Sequence, residues 1–489
     1  MEVRTNGGPV RGRVEDGVSV FRGIPFAAPP VGPRRFATPE PVTPWDGVLD
    51  ATAFGPPPPQ SAMSAAGSVS ARPADDGRGW LTATVWSADV EERRPVMVWI
   101  HGGAYRAGSS DDPAYDGAVL AREHDVVVVT FNHRVGVEGY GRIEGAPDNR
   151  GLLDQVAALE WVRENAAAFG GDPDQVTVFG ESAGAGAVAS LLAMPRAAGL
   201  FRRAIAQSVP GTFFSTGLAS DIMTTIAAGL DRRPTVDDLR DVDPDALIAA
   251  ADGLVMREHE DRWGLVARTP TPFSPVVDGE VLPTTPWRAL RDGASADVEV
   301  IVGHNRDEFR LFLALGGLLG TVTAEMAERT LAAFAPDAAA FRDAHPDLSD
   351  EGLFELVQSD WLFRMPSLRI SEGHRGRSYV YELTLEAPGQ GGVLGACHGF
   401  DVPLVFGTRT GGINALVLGG EAGPVVEGVS AAVRRAWTAF ARGEGPGWPA
   451  FDGARQAWVV GADPAVGTYP EETSAALWAG HEFEALPRT

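Results

Sequence analysis

A β-type run that breaks at a glycine-flanked serine and resumes as an alanine-rich helix constrains this chain more than any other feature. Gln175–Phe179 alternates Val176 and Val178, then passes through Gly180-Glu181-Ser182-Ala183-Gly184 into an Ala/Leu-rich stretch. A strand-turn-helix of that kind holds Ser182 on a tight bend with its hydroxyl clear of the sheet. Side chains two residues to either side would collide there, and glycine removes them. By itself the Gly-x-Ser-x-Gly pattern is weak, since a chain of this composition carries about 0.3 such matches by chance. Its setting gives it meaning, because a helix opening at Ser182 turns free N–H groups toward the same point. The competing reading is a strand-helix turn of a nucleotide-binding fold, but no Gly-x-Gly-x-x-Gly and no P-loop Lys accompany it.

The rest of the chain supports a sheet around that turn. Pro95–Gly102, Asp125–Phe131 and Val298–Gly303 are short, β-branched and continuous enough for buried strands. Leu152–Phe169 repeats apolar residues at Leu153, Val156, Leu159 and Val162, a helical spacing. Strands alternating with helices predict an α/β fold, a mostly parallel central sheet with helices on both faces. We read residues 1–489 as one such domain. Residues 1–94 form an N-terminal segment with a small sheet, and 95–214 with 271–310 form the core. Residues 215–270 and 311–375 are helical lid or wall insertions, and 376–489 complete the core. Ser61–Gly79 reads as a surface loop.

Composition removes competing chemistries. All 41 basic residues are Arg, so Schiff-base, pyridoxal-phosphate, P-loop, kinase and Ser/Lys mechanisms are excluded. A net charge of −24 argues against nucleic acid and anionic membranes as partners. The single Cys397 excludes an internal disulfide framework and a Cys-rich metal site. There is no His-Glu-x-x-His, and Glu258-His259-Glu260 reads as a solvated helix face, so neither metal nor other cofactor is expected. The apolar stretch Leu311–Gly320 falls far short of the roughly 20 residues of a membrane span. Met1–Arg4 shows no apolar signal core, and a cytoplasmic monomer or weak homo-oligomer is expected.

A hydroxyl nucleophile needs a base and donors for the charge that develops on its substrate. His101-Gly102-Gly103-Ala104 leaves the Pro95–Ile100 strand upstream of Ser182, where glycines let backbone N–H groups reach a substrate oxygen. Gly103, Ala104 and Ala183 are the candidate donors. His101 is read as orienting this loop.

Further motifs run nearly end to end. They include Phe21-Arg22-Gly23-Ile24-Pro25-Phe26-Ala27, Asp148-Asn149-Arg150-Gly151-Leu152-Leu153-Asp154-Gln155 and Phe169-Gly170-Gly171-Asp172-Pro173. After Ser182 come Pro275-Val276-Val277-Asp278-Gly279, Asp307-Glu308 and Cys397-His398-Gly399. In these residues the chain resembles the type-B carboxylesterases, the family of bacterial para-nitrobenzyl esterases and eukaryotic cholinesterases. The resemblance implies an α/β-hydrolase fold and a triad in the order Ser, acid, His. The acid falls on Glu308 and the base on His398. Asp307 and Asp401 are rival acids, and His304 and His374 are rival bases. The resemblance also places Glu181 as a semi-buried carboxylate that influences the His, and Ser208 as a serine beside the triad. Each could equally be a packing or hydrogen-bonding residue.

This chain departs from the family at several points. Pro58 and, approximately, Trp80 replace a cysteine pair, and nothing between Gln60 and Gly79 is aromatic, which disfavours choline esters. Phe309 stands where glycine usually follows the acid. Tyr105, Phe213, Phe214, Phe273, Phe309 and Phe312 are candidate pocket residues, with ordinary core packing as the alternative. The expected function is Ser/His/Glu hydrolysis of small, largely apolar carboxylic esters. An amidase, carbamate hydrolase or acyltransferase is the alternative, and a silent binding module is disfavoured by the complete residue set.

Overall fold

The computed structural model describes residues 1–61, 79–420 and 422–489. The loop read at Ser61–Gly79 therefore lies almost wholly outside the described residues. Eleven strands form the main sheet. In chain order they are β1 (Arg13–Glu15), β2 (Val18–Pro25), β3 (Thr82–Ser87), β4 (Arg94–Ile100), β5 (Val127–Phe131), β6 (Gly171–Glu181), β7 (Arg203–Gln207), β8 (Glu299–Asn305), β9 (Ser378–Leu383), β10 (Gln456–Val460) and β11 (Ala465–Thr468). Across the sheet they run β11-β10-β9-β8-β7-β6-β4-β5-β3-β2-β1. Every neighbouring pair from β10 to β5 is parallel. The pairs at the two ends are antiparallel. The N-terminal segment does more than the small sheet expected of it. It builds that sheet from Glu2–Thr5, Gly8–Arg11 and Leu49–Asp50, and it also supplies β1, β2 and β3 to the large one.

Parallel strands need crossovers, and these cover both faces. Because strand side chains alternate, each strand divides its residues between two cores. Val96, Val98 and Ile100 of β4 join Val176, Val178, Ala204 and Ala206 on one face. Met97 and Trp99 join Phe179, Ile205 and Phe406 on the other. Helices α1 (Arg150–Asn165) and α2 (Ala183–Ala193) pack on the first face, and α3 (Pro424–Ala441) packs on the second.

The motif from Asp148 to Gln155 is structural. Asn149 exchanges two hydrogen bonds with the Val276 backbone, at 2.7 and 2.8 Å. Arg150 donates to the carbonyls of Glu138, Val137 and Gly141. Asp154 holds Arg134 through a bidentate pair at 2.7 and 2.8 Å, both side chains fully buried.

Residues 215–270 and 311–375 are mostly helical, and six of their helices begin at a side-chain cap. Ser215, Thr235, Asp243, Thr323, Asp337 and Ser349 each accept a backbone N–H of the first turn. Such caps contribute about 1 kcal/mol apiece. Among the described residues no helix is long and apolar enough to cross a membrane.

Candidate active site

Strand β6 ends at Glu181 and α2 begins at Ala183, leaving Ser182 between them at φ 56°, ψ −125°. A non-glycine residue in that region costs about 1–3 kcal/mol, so its surroundings must hold it there. Ser182 N–H donates to the Gln207 carbonyl, and its own carbonyl accepts from Gly186 N–H, both at 2.9 Å. The two motif glycines are required by close packing of backbone. A methyl group on Gly184 would overlap the Ile100 carbonyl, and one on Gly180 would lie 2.7 Å from Gly184. Gly102 also approaches closely, and a methyl there would sit 3.2 Å from Ser182 Cβ.

The loop after β4 is equally tight. Gly103, Ala104 and Tyr105 all have positive φ, at 113°, 55° and 59°. Arg106 and Ala107 N–H both bond the Gly103 carbonyl, at 3.0 and 3.1 Å. Among the described residues the N–H groups of Gly103, Ala104 and Ala183 have no protein acceptor. His101 places Nδ1 2.9 Å from the Gly102 carbonyl and stacks on His133 with ring centres 4.3 Å apart. Burial, with the neighbouring His133, lowers its pKa to about 3. It stays a neutral ring tied to this loop.

Glu308 follows the end of β8. Its Oε1 accepts from Asn305 N–H at 2.8 Å and from the Ser208 hydroxyl at 2.5 Å, and Oε2 accepts from His398 Nδ1 at 2.5 Å. The carboxylate is fully buried. Ser208 leaves the end of β7 at φ 61°. The other candidates are committed elsewhere. Asp307 pairs in register with Cys397 and accepts from Ala396 N–H at 2.8 Å, so it ties the loop carrying His398 to the loop carrying Glu308. Asn305 adds a bond from its side-chain amide to the Cys397 carbonyl at 2.7 Å. Asp401 Oδ2 accepts from Gln207 Nε2 and the Tyr381 hydroxyl, both at 2.8 Å. His304 bonds the Tyr469 hydroxyl at 2.7 Å, and burial lowers its pKa to about 4. His374 faces the Ser295 carbonyl at 3.0 Å. Burial also pushes the Cys397 thiol up, away from thiolate chemistry.

Residues 1–470 match the family model described as the carboxylesterase family. The chain belongs to the carboxylesterase family. It is 35% identical to the para-nitrobenzyl esterase of Bacillus subtilis over 96% of each chain. It is 33% identical to the phenmedipham hydrolase of Pseudarthrobacter oxydans over 94% of each chain. The crystal structure of a Geobacillus stearothermophilus carboxylesterase superposes with a TM-score of 0.84, at 33% identity over 98% of this chain and 99% of that one. This carboxylesterase is thus a serine-type carboxylic-ester hydrolase with the α/β-hydrolase fold. Ester hydrolysis is favoured over the amidase and carbamate alternatives.

In the carboxylesterase, His398 is flanked by carboxylates on both ring nitrogens. Nε2 lies 3.1 Å from Glu181 Oε1, and among the described residues no hydrogen bond joins it to Ser182 Oγ. Burial alone would lower the His398 pKa; the carboxylates of Glu181 and Glu308 outweigh it and raise the pKa well above the ordinary range. Burial likewise raises Glu181, offset in part by His398 and reinforced by Asp401 and Glu308.

The six aromatic candidates separate. Phe312 lies 5.3 Å from the His398 ring, and Phe309 lies 5.3 Å from Phe312. Phe213 is buried edge-on to Trp287, and Phe214 pairs with Val276 in a two-stranded ladder. Tyr105 packs against Tyr140 beneath the loop, with its hydroxyl against Gly186 of α2. Phe273 is buried beside a narrow cleft with Arg106 and Leu247. Among the described residues, the aromatic ring nearest His398 lies outside these six. Phe363 stacks on the imidazole with ring centres 4.2 Å apart. It sits inside a stretch whose only sequence signal is helical spacing, and nothing local sets it apart from core.

Proposed function

We propose that this carboxylesterase cleaves small, largely apolar esters through an acyl-enzyme on Ser182, with His398 as base and Glu308 as its orienting acid. The observation that carries this reading is the clamp on Glu308. Two donors fix Oε1, so Oε2 is left aimed at His398 Nδ1. That holds the tautomer in which Nε2 can take a proton. Ser182 Oγ adds to the ester carbonyl as its proton passes to His398, and the oxyanion is received by the N–H groups of Gly103, Ala104 and Ala183. Collapse expels the alcohol, which takes the proton from His398, and water repeats the sequence to release the acid. Residues 215–270 and 311–375 act as walls over the site, with Phe309 and Phe312 on the side of His398.

Short-chain p-nitrophenyl acetate and butyrate are expected to turn over readily and the palmitate poorly. Steady-state rates across acyl lengths test this, and a preference for long chains would overturn the substrate reading.

Glu181 supplies a pH prediction. His398 acts as base only when neutral, so kcat/KM rises with pH through its ionisation. Glu181→Gln removes one of the two carboxylates that hold the proton on the ring, so the acid limb is expected to move to lower pH. A limb that stays in place would show that Glu181 does not act on His398.

A further inference from the structure

The segment that carries Phe363 is irregular. Between the helices Asp350–Ser359 and Met365–Gly373 the chain widens into a turn, where Met365 N–H donates to the Asp360 carbonyl five residues back. Such π-type turns free backbone groups and rotate the side chains that follow. Here the freed Leu362 carbonyl accepts from Gly211 N–H at 2.7 Å, just beyond β7 and Ser208. Two side chains of this turn, and Ser359 just before it, reach the proposed catalytic residues or the loop that bears them. Phe363 lies against His398, interplanar angle 27°, and Phe312 packs nearly parallel to Phe363 at 6.0 Å. Arg364, fully buried between Asp360 and Glu471, donates to the Arg306 carbonyl at 3.3 Å, two residues before Glu308. Ser359 donates through its hydroxyl to Glu355 and accepts from Phe309 N–H at 2.8 Å, immediately after Glu308.

We propose that this wide turn, Asp360–Arg364, positions the base and acid of the site, with Phe363 fixing the plane of the His398 ring. Glu308 at Nδ1 and Glu181 facing Nε2 both meet the imidazole at its edge, and neither covers its face. A flat aromatic surface at stacking distance bars the ring from tipping out of that plane. It also favours the imidazolium that forms when Ser182 is deprotonated, since a ring face attracts a cation. Arg364 and Ser359 brace the two ends of the loop that carries Glu308. The inference rests on the assignment of His398 as base.

The test compares Phe363→Met, which keeps the apolar volume and loses the ring, with Phe363→Tyr, which keeps the ring. With p-nitrophenyl butyrate, Phe363→Met is expected to lower kcat by roughly ten- to a hundred-fold, the range expected when a catalytic group is misplaced. KM should be little changed, and the acid limb of the pH profile should move to lower pH. Phe363→Tyr should recover most of kcat. A Phe363→Met change confined to KM would make Phe363 a substrate wall, and an unchanged kcat and pH profile would also overturn the proposal. So would a Tyr variant as impaired as the Met variant while its melting temperature matches the unsubstituted protein. Ser182→Ala, assayed alongside, separates the two ideas. If it keeps activity, the site assignment itself fails. If it is inactive while Phe363→Met is normal, only the positioning role fails.

Discussion

Ser182→Ala is expected to reduce turnover of p-nitrophenyl butyrate by about a million-fold, the scale on which removal of the nucleophile acts in other serine hydrolases. Only oxyanion stabilisation and binding would remain, and neither forms a covalent intermediate. The folded chain should persist. Relief of the positive φ at Ser182 is not part of the change, because alanine inherits the same backbone conformation and the same bonds to Gln207 and Gly186. Melting temperature should therefore stay close to that of the unsubstituted protein. An organophosphate should label Ser182 stoichiometrically in the parent and leave the variant unlabelled. A variant of normal rate, or a label on another serine, would move the nucleophile elsewhere.

The second large effect concerns the two neighbouring acids. Glu308→Gln is expected to cost about 10⁴-fold in kcat, as when a buried orienting carboxylate is made neutral and the imidazole is left in the wrong tautomer. The amide cannot match the carboxylate's bonds, since Oε1 already accepts from both Ser208 and Asn305 and Oε2 from His398. Asp307→Asn should cost far less in rate, because Asp307 is occupied with Ala396 N–H and does not reach the imidazole. Steady-state kinetics on the two variants decide this. The reverse ranking would transfer the acid role to Asp307.

How much of this was legible in the sequence depended on whether the signal was local. The turn around Ser182 was legible because one backbone bend dictates glycines at fixed offsets. The strands β4, β5 and β8 were legible because burial on both faces demands continuous apolar runs, and β6 because Val176 and Val178 alternate. Their ends were less so, and β6 begins at Gly171 where the alternation starts only at Val176. The edge strand β1 escaped because an antiparallel edge tolerates polar residues, and β2, paired on both sides, escaped because Arg22 and Gly23 interrupt its apolar run. Choosing His398 among nine histidines needed the surrounding motif, since nothing in the ring's own neighbours along the chain announces a base. Phe363 illustrates the opposite limit. Its position against His398 arises from a helix that widens by one residue, and periodicity does not record such a change.

The site's three proposed members also arrive at very different times. Ser182 is joined to β6, but Glu308 follows β8, and His398 comes 90 residues later still, beyond β9. As the chain emerges from a ribosome, the nucleophile's strand can pair with β4 long before the acid and base exist. Contacts across such separations form late and slowly. A partly made or partly folded chain therefore carries the serine without the means to activate it. Hydrolytic competence is a property of the finished sheet, and it appears only when the last third of the polypeptide has docked.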